Sequence, residues 1–336
     1  MIQVLNKEVD KTIAHYRKDI EAFSSSAKRR LEKYYNDNNG MLSQEECDYL
    51  LDLIKEIKKI VIAPVDELEI HRRTFRKIPH RIKKVRNKNK KLFDKIDSGF
   101  KDKILELLDY EGIRSSFLPK YFSKIGIKSC VYCNSQLTVS INSHKDLVKK
   151  NDIKIKAKFQ VDHFIDKAKF PSLSISLFNF YPTCASCNNA KRNTSVKFIL
   201  YTSNLNDTLK SQYVFKLING SVTKYLMHRN PDLIKIKFKD PEKPDRSVMA
   251  LGSLQDTFDI EGIYETQKDI AEELIIKAVI YNKSYKDSLT KSFPKLFTNA
   301  SLANRILIGN YCLPSEIHKR PMAKFTQDIA KQLGLI

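Results

Sequence analysis

At 336 residues and 42% apolar content the chain is long enough to bury a sizeable core, as two domains or as one with elaborations, so disorder is not the default reading. Lys and Arg number 60 against 39 acidic residues, a net charge of +21, and a charge of that size draws polyanions, nucleic acid first. No stretch approaches the ~18 consecutive apolar residues of a membrane span, and the opening MIQVLNKEVDK is charged too early for a secretory leader. A cytoplasmic protein without a membrane partner is expected.

Taken in chain order, residues 1–120 read as a helical region. A helix spans roughly residues 6 to 34, and the turn chemistry of NDNNG separates it from a second. Ser43 and Glu46 form a capping box, after which Cys47, Leu50, Leu51, Ile54 and Ile57 recur at helical spacing and present one apolar stripe. From Arg72 to Lys91 the chain carries eleven basic residues and no acid. This segment reads as a helix broken near Pro79 that lays a cationic face on a phosphate backbone through Arg72, Arg73, Arg76, Lys77, Arg81, Lys83, Lys84 and Arg86. A further helix is expected over Lys101 to Tyr110.

Residues 121–205 carry most of the chemistry. Cys130/Cys133 and Cys184/Cys187 are two C-x-x-C pairs, whose two-residue gap lets both thiolates of a knuckle point at one ion. Together they can close a four-cysteine Zn2+ site, structural because no open position is left for water; the competing reading, a thioredoxin-like redox pair, wants one C-x-x-C opening a helix and not two matched knuckles. Strands are expected over QLTVSI and over residues 157 to 164, the latter ending at Asp162 and His163, and a helix begins at about Cys187. In residues 206–336, YVFKLI and SVTKYL flank Asn219-Gly220 as a β-hairpin, LIKIKF continues as a third strand, and helices return from Ile263 to Leu289 and after Pro314. The fold class is α+β: mainly helical, with a central zinc-stapled finger and a small antiparallel sheet element.

Asp162, His163, Asn179, Asn188 and Lys191 are the residue types of metal-assisted phosphodiester hydrolysis: an imidazole to take a proton from water, oxygen ligands for a hard cation, and a lysine for phosphate. Asp162 and His163 can face one site only if the strand ends or bends there. Asn188 and Lys191 fall three apart, on one helical face. With Arg192, Lys191 completes the expected nucleic-acid contacts.

The series C-x-x-C, D-H, an asparagine before YPTC, and C-x-x-C-N-x-x-K resembles the HNH endonucleases of the ββα-metal (His-Me finger) superfamily, in the subgroup stapled by four cysteines. It covers Ser129 to Asn193, about a fifth of the chain. The resemblance implies that His163 is the general base, Asp162 and Asn188 the ligands of a catalytic metal, and Asn179 the brace of the histidine's loop. Asn188 stands where many members carry His, an HNN variant whose amide oxygen favours Mg2+ or Mn2+. It further implies 5′-phosphate products and activity that falls when His163 is protonated in acid; DNA is favoured over RNA as substrate, though the sequence does not decide between them. More loosely, the helical arms, LFNFYPTC and the terminal RPMAKFTQDIAKQLGLI resemble the HNH nucleases of bacterial antiphage systems. In the Septu type such a nuclease pairs with an SMC-like ATPase. The competing reading is a non-catalytic zinc module that binds nucleic acid through its basic segment.

Overall fold

The computed structural model describes residues 1–75, 78–79, 81–86, 92–144, 153–192, 194–241, 252–295, 297 and 300–336. The amino-terminal part comprises β1 (Val4–Leu5), α1 (Asn6–His15), α2 (Arg17–Asn38), α3 (Gln44–Ile62), α4 (Val65–Phe75), β2 (Arg81–Arg86), β3 (Leu92–Asp97), α5 (Gly99–Leu107), α6 (Tyr110–Ser116) and α7 (Leu118–Ile125). The middle holds β4 (Val139–His144), β5 (Ile153–Lys158), β6 (Gln160–His163), β7 (Phe180–Thr183), α8 (Ala185–Lys191) and β8 (Tyr201–Thr202). Then come α9 (Leu205–Leu209), β9 (Val214–Leu217), α10 (Asn219–His228), β10 (Ile236–Lys239), α11 (Leu254–Phe258), α12 (Ile260–Glu265), α13 (Lys268–Ile280), α14 (Lys283–Ser292), α15 (Ala300–Ile308) and α16 (Ala323–Gln332). The chain is mostly helical with small two-stranded sheets, antiparallel except for the β1–β8 pair, as the α+β reading expects.

The capping box opens α3 as expected: Glu46 N–H reaches Ser43 Oγ at 3.3 Å and Ser43 N–H reaches Glu46 Oε2 at 2.9 Å. The buried stripe of α3 is Cys47, Leu50, Leu53, Ile57 and Ile60, whereas Leu51, expected within it, is 45% exposed. The helix packs along α2, which buries Ile20, Ala27 and Leu31 against it. Gly126, at φ 85, closes α7 in the left-handed conformation and turns the chain into the first cysteine knuckle.

Two expectations fail. The basic segment is not a broken helix: α4 stops at Phe75, and Arg81–Arg86 pairs antiparallel with Leu92–Asp97 as β2 and β3. Pro79 cannot continue a helix, and the strand register sets Arg81 across from Asp97 and Lys84 across from Asp94, where a helix would stack like charges a turn apart. Asn219-Gly220 opens α10 and is not a hairpin turn; the partner of β9 is β10, on the far side of that helix. The β9–β10 ribbon is clamped by side chains on both edges. Asp328 and Gln332 of α16 accept the N–H groups of Phe215 and Leu217 at 2.9 and 2.8 Å. Glu265 and Glu261 of α12 accept those of Ile236 and Phe238 at 2.7 and 3.0 Å.

The core is contiguous and strongly aromatic, and all three sequence regions contribute to it. Tyr132 stacks on Phe258 at 4.7 Å, and Tyr264 packs on Phe215 and Phe325 at 4.2 and 5.0 Å, those two rings also meeting at 5.4 Å. These rings pack the carboxy-terminal helices directly behind the cysteine knuckles.

Candidate active site

The first knuckle is a tight turn after α7, closed by Asn134 N–H to Cys130 C=O at 2.8 Å. The second lies where β7 runs into α8, with Cys184 at the N-cap. Their four sulfurs are buried and lie within 4.8 Å of one another, with Cys133 and Cys184 at 3.9 Å. A tetrahedral zinc with Zn–S bonds of ~2.3 Å places its sulfurs roughly 3.8 Å apart, so the cluster can hold a structural metal ion such as zinc. Hydrogen bonds from Cys130 and its neighbours pull the Cys133 thiol far down, while burial pushes Cys130 up. Ser135 donates to Cys133 Sγ through its N–H at 3.5 Å and its hydroxyl at 3.2 Å, and Cys187 N–H donates to Cys184 Sγ at 3.5 Å. Such donors favour the thiolate form that a metal requires.

Next to the cluster, β6, β7 and α8 form a ββα unit with Asp162 paired to Tyr181 and His163 to Phe180. Gln160 and Asp162 share a strand face, and Asn188 and Lys191 share a helix face, so α8 lies side by side with β6. Along this seam Asn188 Nδ2 donates to Gln160 Oε1 at 2.6 Å and Lys191 Nζ donates to Asp162 Oδ1 at 3.0 Å. Lys191 also reaches the carbonyl of His163 at 3.1 Å, and the Tyr132 hydroxyl donates to Asp162 Oδ2 at 2.5 Å. Lys191, expected at a phosphate, is only 4% exposed and neutralises Asp162 instead. Asp162 and Asn188, the expected pair of hard oxygen ligands, are engaged separately: Lys191 and Tyr132 hold the carboxylate, and Gln160 holds the amide.

The strand end expected to bring Asp162 and His163 to one site does not do so: β6 stays paired through His163, and alternation sends the histidine ring to the other face, where it packs on Tyr110 and Phe180, with centroids at 5.2 and 5.3 Å. Its Nε2 lies 3.0 Å from the Ser174 carbonyl. A carbonyl only accepts, so Nε2 carries the proton and Nδ1 is the basic nitrogen. Burial pushes the ring's pKa down to about 3, the Ser174 carbonyl opposing and Lys167 and Lys191 adding to the fall. The ring is neutral throughout the ordinary pH range, so in the free protein its acid titration moves from the usual 6.5 to about 3. Asn179 pins the loop between β6 and β7: its side chain accepts from Ile165 N–H at 2.7 Å and donates to the Ile165 and Leu173 carbonyls at 3.1 and 3.0 Å.

Of the basic residues expected to grip nucleic acid, Arg72 and Arg73 both pair with Glu69 on their own helix. Arg81, Lys83, Lys84 and Arg86 lie in β2, described by its backbone; Arg76 and Lys77 fall outside the described residues. Arg192 is exposed just past α8. Sequence reasoning missed Tyr132, Ser174 and Asn134. Asn134, buried at φ 55, donates to Ser129 Oγ and the Ile317 carbonyl and accepts Lys324 N–H at 2.9 Å, tying the knuckle to α16. A signal for it was present, because an asparagine directly follows the second cysteine of each knuckle.

Comparison of the chain with family models, with curated proteins and with solved structures finds no significant match. The functional reading therefore rests on the residues and their geometry.

Proposed function

We propose that this chain is an HNH-type endonuclease that hydrolyses phosphodiester bonds of nucleic acid, DNA in preference to RNA. Zinc on the four cysteines would be its scaffold. The observation that carries this reading is His163 on a ββα unit beside the sulfur cluster. Its Nε2–H is held by a backbone carbonyl and its loop is braced by Asn179, so a neutral ring offers Nδ1 as a base. Deep burial makes the ring a weak base as it stands, and the negative charge of a bound phosphate raises its pKa towards a useful range. Mg2+ or Mn2+ on Asp162 and Asn188 would supply Lewis-acid stabilisation of a phosphate, and because Asp162 and His163 face opposite sides of β6, this mechanism requires the strand end to turn when substrate binds. A role in antiphage defence, with an SMC-like ATPase as partner, rests on the looser resemblance of the arms.

The buried Asp162–Lys191 pair favours a second reading, a non-catalytic zinc module that binds nucleic acid, because it leaves the carboxylate already neutralised. Plasmid incubated with protein and each metal in turn separates the two. Nicking by the parent, reduced at least about 100-fold in His163→Ala, supports the nuclease. Equal rates for parent and variant, or inertness of both with every metal, supports the second reading.

A further inference from the structure

A groove of about 870 Å³ runs between α6, α7 and the outer strands β5 and β6, lined by Arg114, Ser115, Ser116, Lys120, Lys156 and Gln160 among others. Gln160 of this lining is the partner of Asn188 on the α8–β6 seam. Arg114 of the same lining lies one helical turn beyond Tyr110, the ring that packs on His163. The Arg114 guanidinium sits 6.0 Å from the Tyr110 centroid, and the Lys167 ammonium 4.0 Å from it. Lys167 is half-buried and makes no ion pair or hydrogen bond with a described residue; it lies against the Tyr110 ring, where the charges of Glu111 and Asp166 attract it and those of Arg114 and Lys101 repel it. Lys156 is exposed and likewise unpaired among the described residues.

Carboxylates are present but do not balance this edge. Glu111 pairs with Arg114 at 2.6 Å and Asp19 with Lys120 at 2.8 Å, both at partly exposed positions, and Asp166 accepts Ala168 N–H at 2.8 Å and lies 4.0 Å from Lys169. A partly dehydrated ammonium with no direct ion pair among the described residues, beside another cation and one ring away from a candidate base, is a seat for an anion. Burial already pushes the Lys167 amine down, and an arriving phosphate would reverse that.

We propose that this groove carries the sugar–phosphate strand of nucleic acid, with Lys156, Lys120 and Arg114 contacting successive phosphates and Lys167 seating the phosphate presented to His163. The inference rests on the nuclease reading only for the role of Lys167 in cleavage; binding in the groove stands or falls by itself. Phosphate contacts of this kind position a strand without reading its sequence.

The test uses the full chain, a labelled DNA duplex read by fluorescence anisotropy with EDTA present, and single-turnover cleavage with Mg2+ at saturating protein. The paired variant Arg114→Ala/Lys156→Ala, at exposed positions, is expected to bind about tenfold more weakly and to lower the slope of log affinity against log salt by about 2. Lys167→Met is expected to cleave about 100-fold more slowly once bound, while Lys167→Arg keeps most of the rate. Thermal melts equal to the parent's show that each variant is folded. Parent affinity and slope in the paired variant, or no salt-dependent binding by the parent, overturns the groove. A parent rate in Lys167→Met overturns its seat. Groove-dependent binding with no cleavage by any of these proteins leaves the groove standing and removes the nuclease.

Discussion

Asp162 and Lys191 are almost wholly removed from water, with side chains 9% and 5% exposed, and the tyrosine hydroxyl and the His163 carbonyl complete their hydrogen bonds. Breaking such a pair on one side strands a charge in a poor dielectric, which costs more than the pair itself contributes. Lys191→Met is therefore expected to lower stability by about 3–5 kcal/mol, read as a fall in the urea midpoint. Adding Asp162→Asn should restore most of the loss, because no buried charge then lacks a partner. Both residues were visible in the sequence as motif positions. Their mutual contact was not, since a lysine three residues past an asparagine reads equally well as a phosphate ligand.

Among the elements, the β9–β10 ribbon shows how a two-stranded sheet survives without neighbours. An isolated pair of strands is marginal in water, and its edges invite pairing with other chains. Here carboxylate and amide side chains of α12 and α16 occupy the edge positions that further strands would otherwise fill. Gln332 is the clearest case, accepting from Leu217 N–H and donating to Leu217 C=O, each at 2.8 Å. Gln332→Ala is expected to destabilise the fold by about 1–2 kcal/mol and to speed amide hydrogen exchange at Leu217. Unchanged exchange there would show that the edge is protected some other way. The alternation of YVFKLI and LIKIKF announced both strands, but not that α10 intervenes: Asn-Gly suits a type I′ turn and a helix start alike, and a distant partner decides between them.

In the whole molecule the sulfur cluster is a junction between regions distant in sequence. Tyr264 of α12 donates to the Cys133 carbonyl at 2.8 Å, and Asn134 accepts from Lys324 at the start of α16. Loss of the metal should therefore loosen more than the finger. Cys130→Ser, or a strong chelator, is expected to release about one equivalent of zinc per chain and to lower the melting temperature cooperatively, with α16 losing exchange protection along with the knuckles. Zinc release without any change in α16 would confine the metal's role to the knuckles.

The sequence by itself determined what depends on short spacing: two knuckles matched for one tetrahedral ion, a capped helix at Ser43, a strand ending in Asp162-His163, and a mainly helical frame. Only the tertiary structure decided which neighbour each polar side chain meets. It set Lys191 against Asp162, the Ser174 carbonyl against His163, Asn134 against α16, and Lys167 against Tyr110. The physical reason is range. Backbone periodicity and ligand spacing act over a few residues, whereas a buried charge or hydrogen-bond donor takes its partner from wherever packing brings one, and that depends on the whole fold.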